Sequence, residues 1–69
     1  MTAAEARNKS TWNNIKGVIR RAITENIEDG LYQVTIEEKY MDIETQYDLQ
    51  NLGYGIFFNK HDNTYIIKW

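Results

Sequence analysis

At 69 residues the chain can hold one domain with a thin core, and a core of that size supplies only about 3–5 kcal/mol. It has no cysteine and one histidine, His61, which excludes a disulfide framework and leaves too few soft ligands for a zinc staple. The net charge of −2 hides an asymmetry: residues 1–21 carry five basic side chains against Glu5, a balance of +4, and residues 22–69 carry three lysines against nine acids, a balance of −6.

These figures narrow the partners. A coat for long nucleic acid would be basic overall, so none is expected. A basic first third on an acidic body suits a bound anion or head-to-tail charge complementarity between copies. With disulfides and metals set aside, self-association is the remaining way to staple so small a fold. The first twenty residues hold no apolar run, and no window approaches the roughly 18 apolar residues of a membrane span. A cytosolic setting is therefore expected.

In chain order, residues 2 to about 27 read as one long amphipathic helix. Thr2 and Glu5 make a capping box. Trp12, Ile15, Val18, Ile19, Ala22, Ile23 and Ile27 recur at helical spacing, and no proline interrupts them. Gly30 suits the left-handed position past a helix end. Such a helix would be about 37 Å long. A compact chain of this size is about 28 Å across. The helix is thus predicted to overhang its domain by about two turns and to carry Trp12 against a second copy. The alternative is a frayed start with Trp12 packed locally. Lys9, Lys16 and Arg20 fall on one flank of the apolar face, next to Trp12. Trp12, Lys16 and Arg20 are the candidate ligand-binding residues, as an anion or phosphate site at a subunit boundary. The alternative is that their stems lie along the core edge while their heads stay in water. Gly17 costs about 1 kcal/mol inside a helix and either admits a neighbouring helix or is merely tolerated. Asn8-Lys9-Ser10 matches a glycosylation sequon by chance, since it falls inside a helix with no export signal.

Glu28-Asp29-Gly30 forms a turn into a strand at Leu31–Ile36, with Tyr32, Val34 and Ile36 on one side. Glu37-Glu38-Lys39 ends it. Asp42 is the N-cap of a second helix reaching Leu52, with Gly53 as its stop. Thr45, Leu49 and Leu52 share one side; Ile43 and Tyr47 project opposite, a further hint of an interface. Tyr54–Phe58 and Thr64–Trp69 are strands of a hairpin whose turn formers include Asp62 and Asn63. Both strands carry large apolar groups on alternate faces, so the outer face of the sheet should be capped by another subunit or serve as a binding platform. The order is α-β-α-β-β. If the last strand sits between the other two, the sheet is mixed.

Signals for chemistry are sparse. Ser10 is the only serine, and His61 lies in a turn with nothing to bring the two together. Glu37, Glu38, Asp42 and Glu44 lack the glycine and spacing of a calcium loop. Gly53-Tyr54-Gly55 ends a helix instead of opening one, so no dinucleotide fingerprint is present. No catalysis, metal or cofactor is expected. Nine aromatic residues suit either a small core or the stacking of nucleotide bases.

Four stretches resemble small proteins of tailed bacteriophages: the Ile-rich helix end Ile15–Ile27, the glycine-to-strand step Gly30–Ile36, the Leu-x-x-Leu-Gly-Tyr segment Leu49–Tyr54, and the strand Tyr65-Ile66-Ile67-Lys68-Trp69. The resemblance spans most of the chain and carries over no functional residue. It implies either a virion, decoration or host-protein-binding component, or an immune-evasion sponge that sequesters a nucleotide signal of host anti-phage defence. Sponges of that kind are non-enzymatic oligomers with ligand pockets between subunits. The combined expectation is a single α+β domain over residues 1–69. Its small three-stranded sheet is completed by homo-oligomerisation, and it binds a nucleotide second messenger in the host-cell cytoplasm.

Overall fold

The computed structural model describes residues 2–69. The first finding corrects the long helix. Residues 2–27 form two helices, α1 (Ala3–Asn14) and α2 (Gly17–Glu28), separated by Ile15 and Lys16 in extended conformation, with ψ of 142° and 139°. The cause is local and tertiary together. Asn13, Asn14 and Gly17 are weak helix formers within five residues. Breaking the helix there turns Ile15 into the core, where it is 2% exposed. Each helix has 12 residues, or about 18 Å, so neither is longer than the domain, although the structure still extends 42 Å along its longest axis and α1 has no buried residue. Trp12 packs against the core of its own chain.

Other local signals hold. Thr2 caps α1 by accepting the Glu5 N–H at 3.1 Å. α2 ends in a Schellman motif: Leu31 N–H donates to the Asn26 carbonyl and Gly30 N–H to Ile27, with Gly30 at φ +77°. β1 (Gln33–Glu37) follows, then a short 3-10 turn at Glu38–Tyr40. α3 (Ile43–Asn51) is capped by Asp42, whose carboxylate accepts the Thr45 N–H at 2.7 Å. It ends in a second Schellman motif around Gly53, at φ +97°. β2 (Gly55–Asn59) and β3 (Thr64–Lys68) make the hairpin, with Asn63 at φ +53° in its turn.

The fold is α+β with a three-stranded sheet in the order β1-β3-β2. The last strand is central, but the sheet is antiparallel throughout and not mixed. β1 and β2, the parallel pair connected through α3, are not neighbours. The register aligns Val34, Ile67 and Ile56 in one row and Ile36, Tyr65 and Phe58 in the next, on the face that the helices cover. α2 packs on β1, α3 on β2, and α1 on α3. Ile15, Ile19, Ile23, Val34, Ile36, Met41, Leu49 and Ile67 form the buried core.

The outer face is less apolar than the alternation suggested. Of its residues, Ile66 and Phe57 are the large apolar ones; Gln33, Thr35, Glu37, Thr64, Lys68 and Asn59 are polar. The Phe57 ring lies over Gly55, with the Lys68 ammonium 5.2 Å from its centre. Trp69 packs edge-on against Tyr54 at 6.1 Å. On α3, Thr45 and Leu49 are buried and Ile43 and Tyr47 exposed, as the spacing predicts. Among the described residues no helix is long and apolar enough to cross a membrane.

Candidate functional site

The break between α1 and α2 distributes the candidate residues over three segments. Trp12 lies in the last turn of α1, Lys16 in the hinge and Arg20 in the first turn of α2. Lys9 is exposed on α1, on the other side of the hinge. The single-helix wheel that grouped Lys9, Lys16 and Arg20 therefore does not apply.

Lys16 has partners within the chain. Its Nζ lies 3.2 Å from Asp42 Oδ2 and donates to the Tyr40 carbonyl at 3.3 Å. The lysine thus ties the hinge to the start of α3. Hydrogen bonds from Thr45, then the one from Lys16, hold the Asp42 carboxyl down at about 2 from its ordinary 3.8. Asp42 and Tyr40 sit 26 and 24 residues away in sequence, and no local pattern announces that contact.

Arg20 is different. It is half-buried, its Nε is buried without a hydrogen-bond acceptor, and it forms no ion pair among the described residues. With Nε buried, an anion from outside the chain can meet this guanidinium only through its Nη groups.

Among the described residues, two shallow concavities stand out on the surface. One, of about 250 Å³, is lined by Ala4, Arg7, Asn8, Thr11 and Asn51. The other, of about 420 Å³, runs beside β1 past Asn26, Leu31 and Tyr32. Neither opens onto Trp12, Lys16 or Arg20. His61 sits in the hairpin turn, where its backbone N–H donates to Asn59 Oδ1 at 3.0 Å. Ser10 is on α1. No group of three His, Cys, Asp or Glu side chains among the described residues could hold a metal ion. Burial pushes the Tyr54 phenol up, and the neighbouring Glu37 raises the Lys39 ammonium.

Comparison with family models, with curated proteins and with solved structures returns no match for this chain.

Proposed function

We propose that this chain is a non-enzymatic homo-oligomer that binds an anionic nucleotide against Arg20. In the phage setting that its sequence resembles, the effect would be to sequester a nucleotide immune signal of the host. The observation that carries the reading is the Arg20 guanidinium, half-buried and without an acid partner among the described residues, next to a Lys16 that is already paired. Trp12, one turn before the hinge, packs on the core and stays partly exposed, which leaves an aromatic side chain for stacking. A nucleotide needs a cleft of about 300–1,000 Å³. Neither surface concavity supplies one at these residues. A second copy of the chain is the proposed source of the missing wall.

A panel of cyclic and linear nucleotides tests this by thermal melting. A ligand at 100 times its dissociation constant stabilises by about 2.7 kcal/mol. Arg20→Ala is expected to melt near the wild-type temperature and to bind at least about tenfold more weakly. No melting shift across the panel, or full affinity in Arg20→Ala, would overturn the reading. A virion or host-protein-binding accessory is the second reading. Exposed Ile43 and Tyr47 on the outward side of α3 favour it, and it predicts no nucleotide response.

A further inference from the structure

The sheet has two free edges, and they are built differently. On β1, Trp69 N–H donates to the Tyr32 carbonyl and Glu38 N–H to Asn63. With the register, this points the backbone groups of Gln33, Thr35 and Glu37 outward. α2 covers the helix-side face of this strand, where Val34 and Ile36 are 8% and 5% exposed, while a concavity lined in part by Gln33 and Thr35 runs alongside it. Asn26, from α2, donates its side-chain N–H to the outward Gln33 carbonyl at 2.9 Å. Glu37 and Lys39 add charge at the far end, 3.3 Å apart. Helix cover, a capping side chain and charge are the devices that stop a strand from recruiting another.

β2 has neither the capping side chain nor the charge, and α3 covers it less fully than α2 covers β1. Its outward backbone groups belong to Ile56 and Phe58, because Gly55, Phe57 and Asn59 face β3. No side chain among the described residues hydrogen-bonds to them, and no charge lies between Gly55 and Asn59. Phe58 points to the helix side of the sheet yet is 44% exposed, so α3 sits back from this edge; Phe57, on the other side, is 54% exposed.

The geometry points to a second copy of this chain as the occupant of the β2 edge. This rests on the homo-oligomer part of the proposed function and not on its nucleotide. We propose an antiparallel β2–β2 contact with its two-fold axis at Phe57, joining two three-stranded sheets into one. Each Ile56 then pairs with Phe58 of the other copy and exchanges both backbone hydrogen bonds. The side-chain rows match. On the outer face, Ile66 and Phe57 of one copy continue into Phe57 and Ile66 of the other. On the helix side, Ile67 and Ile56 continue into Phe58 and Tyr65. The positions named in those rows are aliphatic or aromatic, and aromatic pairs across strands are among the favourable ones. The contact is isologous and closed, so it ends at a dimer unless a further surface is used.

Sedimentation over a concentration series, without nucleotide, tests the contact. Wild type is expected to show a concentration-dependent dimer. Phe57→Lys brings two like charges face to face beside two copies of Lys68 and should weaken association at least about tenfold. Phe57→Thr, polar and strand-compatible, should weaken it too and decides the matter if the lysine variant fails to fold. Thr35→Lys, on the β1 edge, should change nothing. A wild-type monomer at every concentration overturns both this contact and the homo-oligomer reading. An oligomer that survives Phe57→Thr, or is lost in Thr35→Lys, overturns this contact alone.

Discussion

The two margins of the sheet use strands of five residues each and end differently. At the β1 margin, Ile19 and Ile23 of α2 press on Val34 and Ile36, and all four are buried. At the β2 margin, Leu49 of α3 is buried, but Ile56 is only half-covered and Phe58 and Phe57 are open. The difference teaches where each apolar group acts. Side chains roofed by a helix stabilise the single chain. Those left at an uncovered edge add little to it and are available to another strand.

The contrast breaks most visibly on stability. Ile23→Ala removes a fully buried side chain. Such changes cost about 2–5 kcal/mol, comparable to the roughly 3–5 kcal/mol a core of this size supplies. The variant is expected to lose its cooperative melt by circular dichroism at room temperature. Phe58→Ala, at the open margin, should still melt cooperatively. A near-normal melt for Ile23→Ala would show that the β1 margin is not the anchor.

Asn26→Ala is the next largest change. It removes the hydrogen bond on the Gln33 carbonyl, worth about 0.5–1.5 kcal/mol net. The urea midpoint should fall modestly, with the slope unchanged. An unchanged midpoint would mean that Asn26 does not hold the β1 edge.

The smallest effect is on pH dependence. The Asp42 carboxyl is held at about 2 in the folded chain against 3.8 ordinarily, by Thr45 first and Lys16 after it. The folded state therefore favours the carboxylate. Its contribution is complete above about pH 4 and is lost as pH falls through about 2. Because the pair is exposed, solvent screens it. Asp42→Asn should flatten the fall in melting temperature between pH 5 and pH 2; parallel profiles would remove Asp42 from the account.

Elements with a signal inside their own sequence were legible. Asp42 and Gly53 bounded α3 because a carboxylate cap and a left-handed glycine act within a few residues. Asn63 marked the hairpin turn for the same reason. The break at Ile15 and Lys16 was not legible from the apolar spacing, which stays in phase across the gap. Asn13, Asn14 and Gly17 carried that signal, and it took the pull of the core on Ile15 to act on it. The position of β3 depends on which strands meet, and short apolar strands do not encode that. At the candidate site, residue types were legible and partners were not. Nothing near Lys16 foretold Asp42, so one cation was already paired while Arg20 has no ion pair among the described residues. The difference between the edges was hidden in the same way, because helix cover is set by tertiary packing.

Backbone amide exchange, followed residue by residue by NMR at low and high protein concentration, tests the β2 contact most directly. The outward N–H groups of Ile56 and Phe58 should exchange freely when the chain is dilute and slow together as concentration rises. The outward N–H of Thr35 should stay fast throughout. Fast exchange at Ile56 and Phe58 at every concentration, or protection arising at Thr35 instead, would contradict the account.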